Sequence, residues 1–165
     1  MATPDELKQM VSDWCKEDNI PIKLAEQKGV MLWEFTSGNV VIYSQQKFPD
    51  RVFLQCDLRF DDKQIKLIAE WKNDKRTTMM SNLIKYSIDL DYQIQFLFDD
   101  KKNIKGVRIY KMLIADFTKS DFIHTYLRVN KIVNYNQSIL GTTMGLETKL
   151  AEQQEDASSS NPLTS

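Results

Sequence analysis

The 165 residues carry 22 basic and 23 acidic side chains, a formal net charge of −1. A near-neutral chain has no long-range field to gather nucleic acid or an anionic membrane surface. Its 42% apolar and 27% charged residues exclude wholesale disorder, and one domain of this length buries about 68–70% of its unfolded surface without needing staples.

The chain opens on a helix signal. Thr3-Pro4-Asp5-Glu6 joins an N-cap threonine, a proline at the first helical position and a glutamate three residues after the cap. Leu7, Met10, Val11, Trp14 and Cys15 then form one apolar stripe, which Asn19 and Pro21 end. Extended segments follow at 22–27, 30–35 and 40–45, the last two joined by Thr36-Ser37-Gly38-Asn39 as a hairpin. After the turn Phe48-Pro49-Asp50-Arg51 comes "VFLQCDLRF" (52–60), a strict alternation. Val52, Leu54, Cys56, Leu58 and Phe60 share one side, while Phe53, Gln55, Asp57 and Arg59 share the other.

Asp61 and Asp62 suit a helix start, and Ile65, Ile68, Ala69, Met79, Met80, Leu83 and Ile84 recur at helical spacing to about residue 90; the polar "KNDKR" (72–76) leaves one solvent-facing helix or two with a break, and one long helix is the expectation. Tyr92, Ile94, Phe96 and Phe98 alternate with Gln93, Gln95 and Leu97; "DDKKN" (99–103) turns the chain. The strand over 104–114 returns with Val107, Ile109 and Leu113 on one face and Arg108, Tyr110 and Met112 on the other. Thr118 and Asp121 cap a last helix, whose seam runs Phe122, Tyr126, Val129, Val133, Asn136 and Leu140, with Gly141 and Gly145 weakening its far end. From Ala151 on the sequence holds one large apolar residue, Leu163, and is expected to be a disordered tail.

These elements predict a single domain over 1–150 with a tail over 151–165. The class is α+β, in the order α-β-β-β-β-α-β-β-α, with an antiparallel sheet and the helices on one face of it. Cys15 and Cys56 lie inside apolar patterns, outside any CxxC spacing, and read as buried free thiols of a reducing compartment. No apolar run approaches signal-peptide or membrane-helix length, so a cytoplasmic protein with no membrane association is expected.

Two stretches carry a family resemblance. "KFPDRVFLQCDLRFDD" (47–62) is a strand led by a proline-aspartate turn and closed by helix-starting acids; "VRIYKMLIADFTKSDFIHTYLRVNK" (107–131) is a strand running into a capped helix. The chain resembles a small uncharacterised archaeal family with the type III secretion chaperone-like fold, departing from it by an extra early strand and a tail. The resemblance implies a cytosolic, often dimeric α+β module that presents its sheet or a helix to partner chains. It implies no catalytic residues.

The candidate chemistry is sparse. His124 is the only histidine, with no metal-ligand spacing around it. "FDDK" occurs at 60–63 and 98–101, so Asp61, Asp62, Asp99 and Asp100 would hold Mg²⁺ for a small hydrolase if the two turns met; the alternative is that they cap helices and build turns. Lys101, Lys102, Lys105, Arg108 and Lys111 with Tyr110 suggest a weak nucleic-acid binder, against which stand Asp99, Asp100 and the neutral total. None of these sets completes a catalytic constellation, so no catalytic residue, metal or cofactor is assigned and nucleic acid is not the expected partner. The second sheet face remains. Phe53, Gln55, Arg59, Gln95, Leu97, Arg108, Tyr110 and Met112 mix aromatics, methionine, arginine and amides in the manner of an interface. The expected function is a non-enzymatic, homodimeric interaction module that binds partner polypeptide there, with Phe53, Tyr110 and Met112 as apolar anchors and the arginines at the rim.

Overall fold

The computed structural model describes residues 3–25, 29–88, 92–114 and 116–159. Helix α1 (Pro4–Glu17) begins as its sequence dictates: the Thr3 side chain accepts from the Glu6 N–H and the Glu6 carboxylate accepts from the Thr3 N–H. Strands β1 (Lys23–Leu24), β2 (Met31–Ser37), β3 (Val40–Gln45) and β4 (Phe48–Arg59) follow. Helices α2 (Asp62–Glu70) and α3 (Asn73–Ile88), strands β5 (Gln93–Phe98) and β6 (Ile104–Leu113) and helix α4 (Lys119–Ser159) complete the chain.

The described strands form one six-stranded sheet in the order β1-β2-β3-β4-β6-β5, antiparallel at every pair. The alternation in β4 resolves as expected on its first side. Val52, Leu54, Cys56 and Leu58 enter a single core cluster with Leu7, Val11 and Cys15 of α1, Ile68 of α2, Met79 and Leu83 of α3, and Phe122, Val129, Ile132 and Val133 of α4. Burying each such side chain is worth about 1.5–3 kcal/mol before entropy is charged, so this face sets where the helices lie. Helix α4 is capped as read, with Thr118 and Asp121 exchanging backbone N–H bonds at 2.8 and 3.2 Å. Its seam residue Tyr126 meets Ser37 of β2 hydroxyl to hydroxyl at 2.8 Å, tying helix to sheet.

Three features differ from the sequence expectation. The single long helix is two, because Trp71 leaves α2 in an extended conformation (φ −66°, ψ 145°) and buries its indole in the core cluster. The early strand expected over 22–27 is, among the described residues, the exposed pair Lys23–Leu24, a short lysine-bearing edge with nothing to pack; residues 26 and 27 lie outside the described residues. The segment expected to be a disordered tail from Ala151 is helical as far as Ser159; alanine, glutamate and glutamine favour the helix without needing a core. Residues 160–165 of that segment lie outside the described residues.

Candidate interaction face of the sheet

Strand register gathers the eight candidate residues into four cross-strand rows on the face away from the core. Met112 and Phe53 share a row with Tyr43; Gln55 and Tyr110 share one with Val41 and Gln93; Asp57 and Gln95 flank Arg108 in the third; Arg59 and Leu97 flank Gly106 in the fourth. Directly paired residues point to the same side of a pleated sheet, and none of the eight belongs to the core cluster. The face is therefore real as a geometric unit.

Its chemistry is less open than the sequence suggests. Phe53 is only 7% exposed, which removes it as an exposed anchor. Its ring stacks on Tyr43 with centroids 5.1 Å apart and planes 9° from parallel, and Phe48 tilts against it at 6.3 Å. Two rings lying side by side on one pleat cover each other, so Phe53 becomes the floor of the face. Arg51 closes that end, its guanidinium 4.6 Å from the Phe48 ring centroid and its Nη1 3.3 Å from Met112 Sδ.

A polar ladder runs across the middle. Tyr43 Oη donates to Gln55 Oε1 at 3.0 Å, and Gln55 Nε2 donates to Asp57 Oδ1 at 3.1 Å. Arg108 then grips both Asp57 oxygens through Nε and Nη2, each at 2.8 Å. This planar, bidentate pairing is the strong form of a charge-assisted bond, and it raises the Arg108 pKa further while burial pushes the Tyr43 phenol up. Gln55 and Arg108 are thus spent within the face rather than offered outward. What remains outward is Arg59, with 81% of its side chain exposed, Gln95 and Gln93, and the half-buried Leu97, Tyr110 and Met112.

At the α2 end, a cavity of about 350 Å³ opens between Arg59, Leu97, Lys105 and Arg108, with Phe60 and Ile65 beside Asp57 in its lining. The residue between Arg59 and Leu97 in their row is Gly106, packed so closely on the Leu58 carbonyl of β4 that no Cβ would fit there. Tyr43, Asp57 and Gly106 were not among the candidate residues, and Lys105 was a candidate only for nucleic acid. Tyr43 sits in an unbroken apolar run, "VVIY", which hides its facing; the place of Gly106 between Arg59 and Leu97 is visible only once register is known.

The other candidates are taken up by local structure. Asp61 caps α2, accepting from Gln64 N–H at 2.8 Å, and Asp99 organises the β5–β6 turn by accepting from the N–H groups of Lys101 and Asn103 and from the Asn103 amide. The Asn103 amide and backbone hold the Asp99 carboxyl below the ordinary range. Among the described residues no group of three or more histidine, cysteine, aspartate or glutamate side chains could hold a metal. The basic residues of 101–111 do not line one stripe: Arg108 pairs on the outer face, whereas Lys111 stands over the Tyr92 ring on the helix side, 5.7 Å from its centroid. His124 is exposed on α4.

Cys15 and Cys56 are free and buried, and burial pushes both thiols up to about 11 from an ordinary 9.0. A thiol that stays protonated at neutral pH is no nucleophile. Neither should react with Ellman's reagent at pH 8 in the native protein, while urea releases two equivalents at once. The same shift costs stability in alkali: unfolded thiols ionise first, so the urea midpoint falls as pH climbs from about 9 towards 11.

No family model and no curated protein matches the chain. A solved uncharacterized protein from Methanothermobacter thermautotrophicus is similar in fold, with a TM-score of 0.70 at 10% identity over 82% of this chain and 97% of that one. YbjN, a putative transcription regulator from E. coli, aligns over 84% of this chain and 92% of its own at 9% identity, with a TM-score of 0.47. Among the described residues no helix is long and apolar enough to cross a membrane.

Proposed function

We propose that this chain is a non-enzymatic protein-interaction module, of the type III secretion chaperone-like kind, that works as a homodimer and receives partner polypeptide on the outer face of its sheet. The observation that carries the reading is the division of the sheet: all four helices contribute to one core cluster on one side, and Tyr110, Met112 and Leu97 stand half-exposed beside Arg59 on the other. Such a mixture of aromatic, methionine and arginine is what interface cores are enriched in. The self-satisfied ladder of Tyr43, Gln55, Asp57 and Arg108 supports it as well, because it presents a rigid platform with few rotamers left to freeze. Self-association has a separate support. β5 is an outer strand of the sheet whose six residues, QIQFLF, carry no charge to repel a second copy.

Light scattering on a sizing column and affinity capture test this with Tyr110→Asp/Met112→Asp. The wild type should run at twice the chain mass and hold a partner that the double variant binds at least tenfold more weakly, about 1.4 kcal/mol. A monomeric wild type that captures the same set as the double variant would end the proposal.

A further inference from the structure

We infer that the cavity at the α2 end of the outer face is a receptor for the C-terminal residue of a partner polypeptide, taking its terminal carboxylate on Arg59 and Lys105 and its apolar side chain against Phe60, Ile65 and Leu97. The inference rests on the polypeptide-binding reading and makes it specific.

Charge supplies the first argument. Among the described residues Asp57 is the one acid lining the cavity, and both its oxygens are already held by Arg108 at 2.8 Å. Arg59 reaches only to 4.0 Å of that carboxylate, with 81% of its side chain exposed, and Lys105 has no ion pair among the described residues. Against one acid the cavity sets three cations, of which Arg59 is held only loosely and Lys105 has no ion pair among the described residues, so it asks for an anion. A guanidinium and an ammonium on neighbouring strands suit a two-oxygen group, since the planar fork pairs bidentately and the ammonium adds a point charge.

Shape supplies the second. At about 350 Å³ the cavity is small for a ligand pocket, and its remaining walls, Phe60, Ile65 and Leu97, are apolar. One residue must therefore bring both the charge and the apolar body. Neighbouring side chains of an extended peptide point to opposite sides, so an internal acid and the apolar residue next to it cannot enter together. A C-terminal residue carries its carboxylate and its side chain on the same Cα and delivers both.

Fluorescence anisotropy on the full chain decides it, with fluorescein-labelled Ser-Gly-Ser-Gly-Leu as the free acid, as the C-terminal amide, and as a version ending in serine. The free acid should bind with a dissociation constant below about 1 mM, the amide and the serine peptide at least tenfold more weakly. Arg59→Ala and Lys105→Ala should each weaken the free acid severalfold, and so should added salt. Both side chains are exposed, so these variants keep the fold. Equal binding of acid and amide, or no binding of either, overturns the inference. If that happens while Tyr110→Asp/Met112→Asp still loses its partner, terminal capture fails alone; if the double variant loses nothing, the broader reading fails with it.

Discussion

Phe122→Ala should lower the free energy of unfolding by about 3–5 kcal/mol, the range for removing a buried aromatic ring. Phe122 is fully buried in the first turn of α4, with the Trp14 ring of α1 at a centroid distance of 5.9 Å. The void cannot collapse cheaply. Trp14 is itself held edge-on by Phe117 at 5.8 Å, and the ends of the two helices are pinned where Lys119 Nζ meets Glu17 at 2.8 Å and Asp18 at 2.6 Å. Since domains have about 5–15 kcal/mol in hand, this loss is a large part of the total. Urea unfolding would show a lower midpoint with an unchanged slope, and Phe122→Leu, which keeps most of the volume, should cost less than about 1.5 kcal/mol. A loss below about 1 kcal/mol for the alanine variant would mean that α4 does not close the core.

Phe122 was visible in the sequence because it begins a seam stepping by three and four residues behind a capping pair, and both signals are local. The same holds for α1, with its Thr3–Glu6 box, and for the inner side of β4, where every second residue is apolar. What escaped depends on contacts between distant segments. Trp71 fits a helical reading of 62–90, yet the core takes its indole and breaks the helix; Lys75 Nζ then sits 4.3 Å from the ring centroid, one turn into α3. Phe53 alternates correctly to the outer face, but alternation says which way a side chain points and nothing of what lies beside it. The Tyr43 stack is a cross-strand pairing, so exposure and facing came apart. Asp57 shows the same limit in charge: read alone it is an acid on a surface strand, and only register with β6 turns it into the partner that uses up Arg108.

Gly106→Ala should destabilise the protein by about 1–3 kcal/mol, the cost of overpacking a site that cannot yield. In a strand, the usual expectation is the reverse, because alanine has less unfolded-state entropy to lose than glycine. Here a Cβ would be driven into the Leu58 carbonyl oxygen of β4 and would lie 3.3 Å from Arg59 Cα. Both are backbone atoms in the middle of the sheet, so relief requires moving two paired strands rather than turning a side chain. Gly141 is the matched comparison: it lies in α4 with nothing within 4 Å of the point where an alanine methyl would stand, and Gly141→Ala should stabilise by about 0.5–1 kcal/mol. Urea midpoints moving in opposite directions for the same chemical change would isolate the β4–β6 approach as the cause; a neutral or stabilising Gly106→Ala would show that the strands can part there. The functional consequence follows from position. Strands that part at Gly106 carry Arg59 and Leu97 with them, so the variant should lose affinity for the free-acid peptide at urea concentrations where it remains fully folded.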